Sequence, residues 1–419
     1  STVKIVSMST PSTTTQPTLN KGSTITKIDY NDLISTSGAK SEEILDQIAR
    51  GFGNFDDSLG IIAITNIPNY KDLRSKLLRL SHQFATCTPK PVLEELTVAS
   101  AQYQVGWSHG QERVEGKNKF DTAKGSYYAN PLTDDVLEYT LQRDFQLTDE
   151  ENGSGDKGHP RMGREEFVKF AKENPAFYAK NVWPESSLPD LERYFKEMGT
   201  LIRSIGLLVA KKCDSYVSTH CKEYELGKME NIVAKSMCCK GRLLHYFPID
   251  TDDVSNNNAN IDSSFSSWCG WHNDHCSLTG LVPAMYIDAD GNEIECPDSA
   301  AGLYCKSRKG DLIPVKIPTD CLAFQIGETT QIHTGGLLQA TPHAVRGCNK
   351  HGVSRESFAV FMEPEYFGDM AIPNGKNIED AQGKDSEMHL PSSVRTLRSR
   401  WKQGMNFGEF SNATFAAFY

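Results

Sequence analysis

Apolar residues recur at helical spacing in several stretches of the first half of the chain. In residues 41–51, Ile44, Leu45 and Ile48 fall on one face. In residues 70–84, Leu73, Leu77, Leu78 and Phe84 do the same. Residues 190–220 carry the longest such pattern, and 218–236 is expected to continue as a further helix after a break. Between the first two helices lies Gly60-Ile-Ile-Ala-Ile-Thr65, an apolar run of buried-strand type that Pro68 ends. Residues 25–30 are expected to form an opening strand. Residues 86–156 give mixed signals, with loops expected at 106–131 and a polar surface loop at 149–157.

The pattern changes after Arg242. Short apolar runs follow one another at 243–247, 278–287, 312–317, 321–326 and 358–363, separated by Gly, Pro and Asp. Asp288-Ala-Asp-Gly291 reads as a hairpin turn. Many short strands with such punctuation predict a sandwich or barrel over 240–365, with the helix-rich first half packed around it. The expected organisation is a disordered tail (1–24), a helix-rich region (25–240), a catalytic core (241–365) and an extension (366–419), forming one integrated catalytic domain. In the extension, 392–401 reads as a helix. The aromatics Trp401, Phe407, Phe410, Phe415, Phe418 and Tyr419 predict an end that packs on the body.

Composition narrows the function. The net charge is -10 over 419 residues, with no dense Lys/Arg run, so nothing supports nucleic-acid binding or an anionic membrane surface. No apolar run reaches the length of a membrane span; the nearest, 202–210, contains Arg203. The Ser/Thr-rich start has no signal-peptide core and no acid before Asp29; a transit remnant is the alternative to a plain tail. A cytoplasmic monomer acting on a small molecule is expected, with a plastid as the other location. The eleven cysteines include no CxxC pair and read as reduced, with Cys238 and Cys239 in a helical-looking segment. Asn412 lies in an N-A-T sequon that an intracellular chain would leave unused.

The densest polar cluster is Trp271-His-Asn-Asp-His-Cys276. On a strand, residues two apart face one side, so His272 and Asp274 reach a common ion while Asn273 points away. His343, at the start of another strand-like segment, is the best third ligand. Two imidazoles and one carboxylate form the facial triad of mononuclear non-haem iron sites, which leaves coordination positions open. An isolated HxD more often forms a hydrogen-bonded loop. With His275, the HxDH string also resembles part of a zinc-hydrolase motif, but the HxHxD opening of that motif is absent. A non-catalytic jelly-roll binding protein is the other competing class. Arg355 and Ser357 are again two apart, entering the apolar run 358–361, where a guanidinium fork and a hydroxyl suit a carboxylate.

Taken in order, Arg242-Leu-Leu-His-Tyr-Phe-Pro248, the HxD segment, Ile326-Gly-Glu-Thr-Thr-Gln-Ile-His333, Ala340-Thr-Pro-His-Ala-Val345 and Ser354-Arg-Glu-Ser-Phe-Ala-Val-Phe361 resemble the 2-oxoglutarate and iron(II)-dependent oxygenases of the isopenicillin N synthase-like family. The resemblance covers roughly residues 25–365. It implies an α+β fold with a double-stranded β-helix (jelly roll) core and supporting helices. It implies His272, Asp274 and His343 as iron(II) ligands, and Arg355 and Ser357 as the anchor for the far carboxylate of 2-oxoglutarate. O2 is then the second co-substrate, and ascorbate supports activity in vitro. The family's co-substrate tyrosine corresponds to Phe247, which cannot donate, so that contact is lost or passes to Tyr246 or His245. The Trp-Cys-Gly-Trp lead into HxD and the long insertion after Ile287 look unlike ordinary plant flavonoid enzymes and more like algal or protist relatives. Among those, the chain as a whole, and no diagnostic residue, resembles the red-algal kainoid synthases, which close a pyrrolidine ring on an N-prenylated glutamate. Hydroxylation or desaturation of another specialised metabolite is the alternative. A di-acid substrate needs a second basic site, for which Arg113, Lys117, Lys119 and Lys124 are candidates, a solvated charged face being the blander reading.

Overall fold

The structure is a computed structural model that describes residues 24–111, 120–145, 162–249 and 268–418. The expected tail to residue 23, the 149–157 loop, and Arg113, Lys117 and Lys119 lie outside the described residues. Thirteen strands occur among the described residues: β1 (Thr26–Asp29), β2 (Ile61–Thr65), β3 (Gly106–His109), β4 (Lys124–Ala129), β5 (Cys239–Tyr246), β6 (Cys269–His272), β7 (Leu278–Ile287), β8 (Glu293–Ile294), β9 (Gly302–Lys306), β10 (Leu312–Val315), β11 (Leu322–Ile326), β12 (His343–Arg346) and β13 (Ser354–Met362). The major sheet runs β1-β2-β11-β7-β13-β5-β4-β3, with β8 on β7; the minor sheet runs β10-β9-β12-β6. Apart from the parallel β1–β2 pair, the ladders are antiparallel. Strands β5–β7 and β9–β13 form the jelly roll.

Alternation along the strands sorts the core. Leu244, Tyr246, Ala63 and Ala323 from the major sheet meet Leu303, Cys305, Ile313 and Val345 from the minor sheet inside the roll. The intervening residues, such as Leu243, Val282, Phe358 and Ile64, face outward. There they pack under helices Gly38–Phe52, Tyr70–Cys87 and Asp190–His220. Each helix thus buries one apolar stripe on one sheet face, as period 3.6 against period 2 requires.

Pro283 sits inside the central strand β7, where proline normally breaks a ladder. A bulge accommodates it: Glu356 faces Met285 and Phe358 faces Val282, so two residues of β7 oppose Ser357 alone. The freed carbonyls of Pro283 and Ala284 accept from buried Arg74 at 3.0 and 2.6 Å. The turn at Asp288–Gly291 joins β7 to β8 as expected, with Gly291 at φ +83°.

Some expectations fail for identifiable reasons. The stretch read as loops at 106–131 holds β3 and β4, which pair with β5. Short, aromatic and polar, they lack the apolar run that marked the other strands. Cys239 opens β5 instead of lying in a helix, and the helix after Cys221 is confined to Lys228–Lys235. Within 392–401 only Leu397–Ser399 is helical, as a single 3-10 turn, instead of a helix along the whole stretch. The terminal helix, Phe407–Phe418, lies further on.

Candidate metal centre and carboxylate pocket

β6 ends at His272, so Asp274 lies past the strand, in the loop before β7. The same-face argument for two residues on one strand therefore does not apply, and the loop has to be held by other means. It is held by the segment after β11. The backbone N–H of Glu328 donates to the Asp274 carbonyl at 2.8 Å, and Gly327 donates to Ser277 at 3.1 Å. The hydroxyls of Thr329 and Thr330 donate to the carbonyls of His275 and Ser277 at 2.6 and 2.7 Å. The approach is close enough that a Cβ at Gly327 would sit 1.9 Å from the Cys276 carbonyl oxygen. Only glycine fits there.

β12 pairs with β6 so that His343 stands opposite His272. The two rings are 4.3 Å apart, and both Nε2 atoms face Asp274 Oδ1, at 3.9 Å for His272 and 3.8 Å for His343. Hydrogen bonds behind the rings set this direction. His272 Nδ1 lies 2.8 Å from the Gly270 carbonyl, and His343 Nδ1 lies 3.2 Å from that of Thr341. A proton on each Nδ1 leaves each Nε2 lone pair pointing inward. Thr279 donates to Asp274 Oδ2 at 2.7 Å, which leaves Oδ1 to face the imidazoles. The three ligand atoms lie within 4.8 Å of one another and, once the imidazoles are neutral, fit a single transition-metal ion.

Charge tunes the set. Burial opposes the ionised form of Asp274, but His343 and His272 together hold its carboxyl below the usual range. Burial, helped by the His272 charge, drives His343 down to about 4. Burial also opposes protonation of His272, yet Cys269, with its sulfur 3.9 Å from Nδ1, and Asp274 raise it to about 9. Cys269 falls to about 7, because His272 outweighs the effect of burial.

Arg355 and Ser357 share the inner face of β13, with Arg355 donating to the Ser357 hydroxyl at 3.4 Å. The guanidinium lies 4.9 Å from the centre of the Tyr246 ring. Tyr246 and Tyr286 are its register partners on β5 and β7. Arg355 is buried, makes no ion pair with a carboxylate among the described residues, and its Nε has no hydrogen-bond partner. A buried cation with an unused donor fits an anionic ligand. Phe247 and His245 leave this pocket: His245 turns to the opposite face of the sheet, where its Nδ1 lies 2.7 Å from Glu356. Tyr246 therefore stands alone of the three beside Arg355.

His275 departs from the HxDH reading. It points away from Asp274 toward the terminal helix, stacked near Phe407 and 3.2 Å from the Ser411 hydroxyl. Asn273 donates to Glu328 at 3.1 Å. Sequence reading missed Thr279, Glu328 and Arg400, whose guanidinium binds both Glu328 carboxylate oxygens at 2.6 and 2.8 Å. The only signal was the conspicuous Gly327-Glu-Thr-Thr330 string; nothing marked Arg400 as its partner. Lys124 is buried, salt-bridged to Asp121 at 2.6 Å. By register it shares the inner face with Tyr246, as does Arg242, which contacts Ser126 at 2.9 and 3.0 Å.

Neither a protein-family model nor a curated protein matches this sequence. Solved structures do match over most of its length. A full-length Neurospora crassa protein in complex with alpha-KG aligns with a TM-score of 0.60 at 18% identity, covering 96% of this chain and 98% of that one. A putative 2OG-Fe(II) oxygenase family protein from Caulobacter crescentus aligns at 0.59 and 15% identity, covering 95% and 100%. JOX2, in complex with 2OG, Fe and JA, aligns at 0.51 and 16% identity, covering 85% and 78%. The chain thus shares the fold of these oxygenases. Among the described residues, no helix is long and apolar enough to cross a membrane.

Proposed function

We propose that this protein is an enzyme that binds one iron(II) through His272, Asp274 and His343 and couples the oxidation of a small organic substrate by O2 to conversion of 2-oxoglutarate to succinate and CO2. The observation that carries the reading is the convergence of the two Nε2 atoms on Asp274 Oδ1, with a buried, carboxylate-free Arg355 inside the same roll. Bound iron supplies the oxidising chemistry; the chain supplies geometry. The Gly270 and Thr341 carbonyls fix the imidazoles, and Thr279 fixes the carboxylate. Arg355 and Ser357 hold the far carboxylate of 2-oxoglutarate, with Tyr246 stacked on the guanidinium. Apolar lining such as Leu244, Trp268 and Leu303 keeps bulk water out.

For the substrate, we favour an acidic amine-derived molecule such as an N-prenylated glutamate, closed oxidatively to a pyrrolidine ring. Arg242 is the basic residue that supports this reading, on the inner face that carries Arg355; Lys124 on the same face is already paired with Asp121. The neighbours in complex with thymine or JA concern other substrates. Ring closure removes two hydrogens from the substrate and sends them, with one atom of O2, to water; hydroxylation adds one oxygen instead. Incubation with iron(II), 2-oxoglutarate, ascorbate and N-prenylated glutamate should give succinate and a product two hydrogens lighter, with NMR separating ring closure from desaturation. Succinate formation that no substrate stimulates would remove the substrate reading. Turnover without iron or 2-oxoglutarate would remove the oxygenase reading.

A further inference from the structure

The outer face of the major sheet carries a second group of two imidazoles and one carboxylate, His82, His245 and Glu356, with ligand atoms within 4.8 Å of one another. We propose that these three residues bind a second divalent cation, zinc by ligand type, which pins helix Tyr70–Cys87 to β5 and β13.

Strand alternation creates the group. Arg355 and Ser357 point into the roll, so Ser354 and Glu356 point out. Register places Glu356 opposite His245, and the helix above brings Ser81 and His82. Glu356 is fully buried. His245 Nδ1 lies 2.7 Å and His82 Nδ1 3.3 Å from the same oxygen, Oε1. Ser81 donates to Oε2 at 2.9 Å, and the Ser354 hydroxyl lies 3.3 Å from His82 Nδ1 and 3.4 Å from Oε1.

An ionised carboxylate at this depth requires positive charge. Its ion-pair partners among the described residues are His82 and His245, with no lysine or arginine. A divalent cation bound by the two imidazole lone pairs supplies that charge. For zinc bonds of about 2.0–2.1 Å, tetrahedral ligands stand about 3.3 Å apart. His82 is already at that spacing, and His245 needs to open by about half an ångström. The His82 side chain is 24% exposed, which gives an ion a route in and leaves the fourth position to water. The backs of the same two strands carry Tyr246 and Arg355, so the ion braces the wall of the carboxylate pocket from behind.

The test uses full-length protein stripped by a chelator and carrying Asp274→Ala, which removes a ligand from the inner centre. Zinc(II) alone is titrated in, and in parallel cobalt(II), whose visible absorption reports tetrahedral nitrogen and oxygen ligation. One zinc per chain should bind, and addition of His82→Ala should weaken it on the order of a hundredfold. His82 is partly exposed, so the metal-free double variant should melt near its parent, whereas Glu356→Gln risks misfolding. No stoichiometric zinc in Asp274→Ala, or equal affinity with and without His82, overturns the proposal. Neither result bears on the iron centre, because the measurement is made with that centre disabled.

Discussion

At the residue scale, the inner site works by assigning each polar atom one direction. Thr279 occupies Asp274 Oδ2, so Thr279→Val should let the carboxylate rotate and weaken iron(II) binding tenfold to a hundredfold in an anaerobic titration. Arg355→Lys keeps the charge but loses the fork. Binding of 2-oxoglutarate should weaken by up to about 2–5 kcal/mol, while iron affinity stays unchanged. If that variant bound 2-oxoglutarate like the parent, the carboxylate anchor would lie elsewhere. Metal ligation needs neutral imidazole, and His272 is raised to about 9 chiefly by Cys269 acting against burial. A raised pKa means the proton must be displaced, so metal affinity should climb between pH 7 and 9. Cys269→Ala should lower that pKa and flatten the climb, measured with manganese(II) at both pH values.

At the element scale, the metal loop has no regular structure of its own and borrows order from the Glu328–His333 helix and the C-terminal segment. Arg400 and Glu328 are each almost fully buried and bind through two hydrogen bonds, while Trp401, Phe407 and Phe410 close over the same helix. Removing one partner of a buried pair typically costs about 3–5 kcal/mol, because the other charge is left unpaired. Arg400→Ala should therefore lower the melting temperature and also weaken iron binding, since Glu328 contacts both Asn273 and the Asp274 backbone. Arg400→Met combined with Glu328→Gln should recover part of the stability, since no lone charge remains. A melting temperature unchanged by Arg400→Ala would mean that the C-terminal segment does not support the loop.

At the scale of the whole molecule, burial of charge shapes the response to pH. Glu363 at the end of β13 is buried near Lys240; desolvation raises its carboxyl to about 7, and lowers Lys240. The folded-state pKa exceeds the unfolded value of 4.5, so the native state binds this proton more tightly. The stabilising contribution is complete below pH 4.5 and is lost as pH rises through 7, by about 3 kcal/mol at most. Glu363→Gln should remove that loss, so denaturant unfolding at pH 8 should find it more stable than the parent, with the difference shrinking at pH 5.5. An unchanged difference across that range would show that Glu363 does not titrate there.

Local pattern determined a good deal of this protein. Strand β7 falls where a short apolar run places it, because both its faces are covered, and the 190–220 helix falls where helical spacing places it, because it buries one stripe. His272, Asp274, His343, Arg355 and Ser357 stood out for a different reason: singly each reads as an ordinary loop or surface residue, and only their order along the chain resembles that of a known oxygenase family. Strands β3 and β4 were not legible, since their stability comes from pairing with β5 and not from their own apolar content. Nor was Arg400, whose meaning depends on a carboxylate 72 positions away. Only the tertiary structure decided that His245 turns outward to Glu356 while Tyr246 turns inward to Arg355. Sequence gives two neighbours on one strand; which of them meets the interior is fixed by the register of β5 against β13, a contact between segments more than a hundred residues apart.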